Sequence, residues 1–261
     1  MKIIVCIKQV PDTTEVKIDP QTNTLIRKGV PSIVNPYDKN ALETALQLRE
    51  KHSGKVTVLT MGPPQAAEAL RECLAMGADE AFLISDRAFG GADTLATSYT
   101  LAQAIQRLGV FDLIICGMQA IDGDTAQVGP EIAEHLGIAQ VTYVSKIKKL
   151  GNKLEVRRDQ EFFYEVIEAE LPLLITVVKT SNEPRLPTCR GIMKSLGTEI
   201  PLLGLKDIAV DERKIGLQGS PTQVRKIFSP PQRTQCIKIK KHTAQDAVTE
   251  LFQKLSDAKI I

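Results

Sequence analysis

The chain has 261 residues, enough for one large domain or for a domain with an appendage. Apolar residues make up 43% and charged residues 25%, and a net charge of +2 gives no electrostatic case for nucleic acid or a membrane surface. No apolar run approaches a bilayer span and the chain opens directly on a strand pattern, so neither a membrane anchor nor a signal peptide is expected. The five cysteines (Cys6, Cys73, Cys116, Cys189, Cys236) are scattered without a C-x-x-C pair, which argues against disulfides, zinc and iron–sulfur ligation and for a reducing cytoplasm. With three histidines (His52, His135, His242), acid–base chemistry built on imidazole has few candidates.

In chain order, residues 2–8 read as a buried strand, residues 9–14 as the loop at its end, and residues 16–26 as an excursion turning at 19–23. Asn35-Pro36-Tyr37-Asp38 fits a helix start, with Asn35 at the N-cap, Pro36 at the first helical position and Asp38 at the third, where a carboxylate can reach back. Ala41, Leu42, Ala45, Leu46 and Leu48 supply the apolar face of that helix. A strand over 55–61, a helix over 65–76 closed by Gly77, a short strand over 81–85, a helix over 95–108 capped by Asp93 and a strand over 112–116 follow. A short helix over 132–137 comes next. This alternation predicts an α/β fold: a doubly wound, mostly parallel sheet with right-handed crossovers. Beyond residue 140 the pattern changes to strands over 141–150, 153–159, 161–168 and 173–178, an antiparallel extension. Residues 181–235 are rich in proline and weakly periodic and are expected outside the core, before an amphipathic helix over 244–255. The domain reading is a nucleotide-binding α/β domain over 1–183 and an extended C-terminal arm with a terminal helix over 184–261.

One loop stands out: Gly117-Met118-Gln119-Ala120-Ile121-Asp122-Gly123-Asp124-Thr125-Ala126-Gln127-Val128, continuing into Gly129-Pro130-Glu131. It joins a strand's carboxyl end to a helix start, where backbone N–H groups and the helix dipole favour phosphate, although its spacing matches neither the Walker loop nor G-x-G-x-x-G. In a parallel sheet the residues just past the strands at Lys8-Gln9, Met61-Gly62 and Gly117–Gln127 and the helix starts at Asn35–Asp38 and Asp93-Thr94 would face the same crevice. Each of these also has a plain structural reading. Asn35–Asp38 is a good helix start without any ligand, Asp93-Thr94 is a good cap, and Gly62-Pro63 is a loop signal. The paired acids Asp122 and Asp124 suit ribose hydroxyls better than a metal. His135 reads as a surface helix residue, and Lys146, Lys148 and Lys149 as a solvated strand face.

Several long segments resemble the β (small) subunit of electron transfer flavoproteins. They are Cys6-Ile7-Lys8-Gln9-Val10-Pro11-Asp12-Thr13, the run Asn35 to Glu43, Ala75-Met76-Gly77-Ala78-Asp79, Gly117 to Glu131, Asn182-Glu183-Pro184-Arg185 and Gly191-Ile192-Met193-Lys194. The resemblance implies a Rossmann-like fold of the adenine-nucleotide-binding type and a heterodimer with an α subunit that carries FAD. It also implies an arm that wraps the partner. One branch of the family holds structural AMP in the β site and has three consecutive acids where this chain has Asp122-Gly123-Asp124. The other branch, which this chain looks like, holds a second FAD, takes hydride from NADH and bifurcates electrons. One electron goes to ferredoxin or flavodoxin; the other passes through the α-subunit FAD to an acyl-CoA or hydroxyacid flavin dehydrogenase.

Carried over residue by residue, the nucleotide contacts implied are Cys6, Asn35, Pro36, Tyr37, Asp38, Met61, Asp93, Thr94, Thr97 and the run Gly117 to Val128. No catalytic side chain and no metal are implied. The alternatives are a non-bifurcating subunit with AMP in the same site, and a nucleotide-binding module without redox work. A departure from the family is Cys189, at the place where an anchoring leucine usually meets partner dehydrogenases.

Overall fold

The computed structural model describes residues 1–12, 31–224 and 236–261, so the excursion expected over 16–26 lies outside the described residues. The chain opens with β1 (Lys2–Cys6) and a small antiparallel ribbon of β2 (Gln9–Pro11) against β3 (Ser32–Val34). Then α1 (Pro36–His52), β4 (Lys55–Met61), α2 (Ala67–Met76), β5 (Glu80–Ile84), α3 (Thr94–Leu108), β6 (Leu113–Gly117) and α4 (Val128–Leu136) alternate. The strands β7 (Ala139–Leu150), β8 (Lys153–Asp159), β9 (Tyr164–Glu170) and β10 (Leu173–Val177) precede α5 (Cys189–Gly197) and β11 (Leu202–Leu203). Among the described residues these strands form a sheet in the order β11-β5-β4-β1-β6-β10-β7-β8-β9. It is parallel from β11 to β7 and antiparallel from β7 to β9, the α/β architecture that the alternation predicts.

Successive strand residues point to opposite faces, and here both faces are covered. Ile3 and Val5 pack with Leu42 and Leu46 of α1 and Leu70 of α2. Ile4 and Cys6 pack on the other side with Leu101 and Ile105 of α3 and Ile132 of α4. A strand buried on both faces has no polar side, which is why β1 and β6 read as unbroken apolar runs. From β1 the chain moves outward through β4 and β5, then α3 carries it back over the opposite face to β6. The order therefore reverses at the neighbouring strands β1 and β6, whose carboxyl ends carry the paired Cys6 and Cys116.

Some boundaries differ from expectation for local reasons. Helix α4 begins at Val128 and not at residue 132, because Pro130 falls in the first turn, where its missing N–H removes no helical bond. Strand β9 begins at Tyr164, since the Gln160 N–H donates to Phe163 O at 2.8 Å and turns the chain first.

The larger difference is at residues 184–224, expected in the arm, parts of which pack on the α/β body. Helix α5 is capped by the Thr188 hydroxyl, which accepts from the Gly191 N–H. A Cβ at Gly191 would lie 2.1 Å from Ala75 O, so glycine there lets α5 approach α2. Strand β11 extends the sheet beside β5, and Ile208 and Ile215 are buried in the core on the α3 side. Single apolar anchors set among prolines carry no period, so no pattern announces them.

Two compact units result, Met1–Arg225 and Lys226–Ile261. The second contains α6 (Ala244–Asp257), capped by Thr243, which leaves Val248, Leu251 and Phe252 exposed. No helix of the described residues is long and apolar enough to cross a membrane.

Candidate functional site

The crevice beyond the carboxyl ends of β1, β4 and β6 holds a cavity of about 420 Å³. Lining it are Cys6 of β1, Met61 of β4, Cys116 and Gly117 of β6, Asn35 and Asp38 at the start of α1, and Asp93, Thr94 and Thr97 at the start of α3. Met118, Gln119, Ala120, Gly123, Asp124, Thr125, Ala126, Gln127 and Val128 complete the wall. Four of the expected residues stand off the lining: Pro36 at the first position of α1, Tyr37 behind Gly117, and Ile121 and Asp122 in the loop. The lining also includes Ile7, Lys8, Phe89, Gly91, Ala92, Leu101 and Gly129. Phe89 and Leu101 were illegible as site residues because their sequence signal is that of core. Gly129 continues the loop run that supplies most of the wall.

Asn35 occupies the N-cap position of α1 as expected, yet its side chain makes no capping bond. Its Nδ2 donates to Gln119 O at 2.8 Å and its Oδ1 accepts from the Ile121 N–H at 3.2 Å, so it pins the loop instead. Asp38 likewise reaches across the crevice: Oδ2 accepts from the Lys8 N–H at 2.7 Å and Oδ1 from the Gly117 N–H at 3.2 Å. One carboxyl thus ties the exits of β1 and β6. Burial pushes Asp38 up to about 7, against the lowering pull of hydrogen bonds from Asn35, Lys8 and Gly117.

The two loop acids are turned to different partners. Asp122 accepts from Lys8 Nζ at 2.7 Å, and Asp124 accepts from Gln119 Nε2 at 2.8 Å. Neither caps α4, whose N-cap is Gln127, and the described residues contain no group of three or more ligating side chains that could hold a metal ion. Asp124 and Ala126 take positive φ, 51° and 54°, which folds the loop over the cavity. Gln127 makes no side-chain cap, and Pro130 has no N–H. The Val128 and Gly129 N–H groups find no acceptor among the described residues and border the cavity. Two free backbone donors at a helix start are suited to an anion.

Asp93 caps α3 through the Ala96 N–H at 3.1 Å and accepts from the Thr222 N–H and hydroxyl. Despite partial burial these bonds hold its carboxyl below the usual range. The Cys6 thiol and burial together raise the Cys116 thiol well above its usual range, which leaves it unreactive. Among the described residues the site offers donors, acceptors and shape. It is equipped to bind.

The sequence pattern of the electron transfer flavoprotein domain matches residues 22–207. The electron transfer flavoprotein subunit beta of Megasphaera elsdenii is 56% identical over 270 residues, covering all of both chains. The chain belongs to the electron transfer flavoprotein β-subunit family. Other relatives in this group are subunit CarD of the caffeyl-CoA reductase–Etf complex of Acetobacterium woodii, 53% identical over all of both chains, and the protein FixA of Azorhizobium caulinodans. FixA is 47% identical over 90% of this chain and 86% of its own. In this electron transfer flavoprotein subunit the segment Asn182–Arg185 is a clamp on α1. Asn182 Nδ2 donates to Asn40 O and Thr44 Oγ1, and Arg185 Nε donates to the buried Glu43 at 2.7 Å.

Proposed function

We propose that the chain works as a heterodimer with an α subunit and holds FAD in the crevice, as the acceptor of hydride from NADH. The observation that carries this reading is at Gly123. It lines the cavity, and a Cβ built there meets nothing within 4 Å, so glycine is not demanded by the protein's own packing. Absence of a side chain is then explained by what approaches: a pyrophosphate, which a third acid between Asp122 and Asp124 would repel. The free N–H groups of Val128 and Gly129 are suited to its oxygens, and Asp124 to a ribose hydroxyl. Asn35 and Asp38 hold loop and strand ends in place.

Bound FAD would supply the redox chemistry, dividing an electron pair between ferredoxin or flavodoxin and, by way of the α-subunit FAD, a flavin dehydrogenase. Likeness to a subunit of a caffeyl-CoA reductase–Etf complex supports a dehydrogenase of the acyl-CoA or hydroxyacid class as partner. The exposed Leu186, Met193 and Leu196, next to Cys189 on α5, offer that partner an apolar surface. The apolar stripe of α6 would lie against the α subunit as part of the wrapping arm.

The test is to purify the heterodimer, count its flavins and titrate it with NADH. Two FAD per heterodimer that bleach with NADH are expected. One FAD and one AMP would identify the non-bifurcating form, and a colourless complex inert to NADH a nucleotide module without redox work.

A further inference from the structure

We infer that Glu131 is a positioning residue, which fixes the Thr94 hydroxyl as an acceptor toward the crevice and so assigns the sugar of the bound nucleotide, not its phosphate, to the start of α3. The inference rests on the nucleotide reading above. Two helix starts open on the same cavity, those of α3 and α4, and by dipole alone either could take a phosphate.

The side chains make them unlike. At α4 the N-cap is the uncharged Gln127, and the Val128 and Gly129 N–H groups are free. At α3 the N-cap is the Asp93 carboxyl. Next to it Thr94 Oγ1 lies 3.2 Å from Glu131 Oε1, across the contact between the two helices. A hydroxyl has one proton, and that of Thr94 goes to Glu131, which as an acceptor cannot donate back. The hydroxyl of Thr94, a residue that lines the cavity, then has only lone pairs to offer a ligand. They accept from sugar hydroxyls or from a ring N–H and refuse phosphate oxygens. The second Glu131 oxygen, Oε2, is buried without a partner among the described residues, so the contact with Thr94 is what the carboxyl is held by.

The heterodimer, freed of its crevice nucleotide, is titrated with FAD and with AMP as parent, Glu131→Gln, Thr94→Val, Thr94→Ser and the double variant Glu131→Gln/Thr94→Val. The glutamine amide can donate to Thr94 and turn its proton into the crevice. Glu131→Gln and Thr94→Val are each expected to weaken binding about tenfold, the range of one lost hydrogen bond in a site of this kind. The double variant should be no weaker than Thr94→Val, because Glu131 acts through that hydroxyl, and Thr94→Ser should bind as the parent does. Unchanged affinity in Glu131→Gln, or losses that multiply in the double variant, would overturn the inference while leaving the nucleotide reading intact. If Glu131→Gln fails to assemble, Thr94→Val decides: parental affinity in that variant overturns the inference. A parent heterodimer that binds neither FAD nor AMP refutes the nucleotide reading, and the inference with it.

Discussion

Gly117 and Asp38 touch across the point where the strand order reverses: the Gly117 N–H donates to Asp38 Oδ1, and a Cβ at residue 117 would stand 2.2 Å from that oxygen. It would also lie 2.7 Å from Tyr37 Cβ, so neither neighbour can retreat without moving the start of α1. Gly117→Ala is therefore expected to destabilise the fold by about 3 kcal/mol, at the upper end of overpacking effects, and to lower the thermal midpoint by roughly 6–12 °C. Calorimetry of the purified chain measures this. A midpoint shift below a degree would mean that the crevice is more compliant than its hydrogen bonds imply.

Asp38 gives a pH dependence with a definite sign. Its carboxyl is raised from 3.8 to about 7 by burial, so between those values the native state holds a proton that the unfolded state has lost. Its contribution to stability is complete below about pH 4 and is lost as pH rises towards 7, by at most about 4 kcal/mol. Asp38→Asn removes this slope. It also leaves one of the two backbone N–H donors facing an amide NH2, at about 1–3 kcal/mol. Urea unfolding at pH 5 and pH 7.5 compares the two proteins: the parent should lose stability relative to Asp38→Asn at the higher pH. Parallel pH profiles for the pair would contradict the assignment.

The sheet was legible because a strand covered on both faces must be apolar at every position, as Ile3-Ile4-Val5 and Ile114-Ile115 are. The convergence on one crevice followed from topology, since strand ends and helix starts alternate along the chain. Hydrogen-bond destinations were not legible. Asn35 has the residue type and position of a helix cap, but its amide goes to Gln119 and Ile121, more than eighty residues on. Local pattern reports that a polar side chain fits a local role, and carries no information on a distant backbone that competes for it. Ile208 and Ile215 escaped notice for a related reason: a single buried residue in an irregular segment has no period to betray it.

The clamp between Arg185 and α1 predicts a large loss from a small change. The Glu43 side chain is only 5% exposed, and Arg185 meets both of its oxygens and also pairs with Glu50. Burial alone would raise the Glu43 carboxyl, but hydrogen bonds from Arg185 and Gln47 hold it below its usual range. Arg185→Met leaves that carboxyl buried without its cation and should destabilise the protein by about 3 kcal/mol. Adding Glu43→Gln to this variant removes the stranded charge and should recover part of the loss. Chemical denaturation of parent, single and double variants tests the coupling, and equal stability of the single and double variants would show that Glu43 does not depend on Arg185.

Gly123 separates stability from ligand choice, because the space around it is open. Gly123→Asp should fold with a change within about 0.5 kcal/mol, as for other exposed substitutions. Its carboxylate joins Asp124 at the cavity wall, next to Asp122, with which Lys8 already pairs and so has no further charge to offer. A dinucleotide brings two phosphates to this wall and a mononucleotide one, so the added charge falls more heavily on the dinucleotide. FAD affinity of the heterodimer is expected to drop about tenfold, as a like charge at this range costs roughly 1–2 kcal/mol after screening, with AMP affected less. The loss should shrink as salt is raised. A folded Gly123→Asp heterodimer that keeps parental FAD affinity at low salt would remove Gly123 as the basis for preferring FAD to AMP, and the choice would then rest on the flavin count alone.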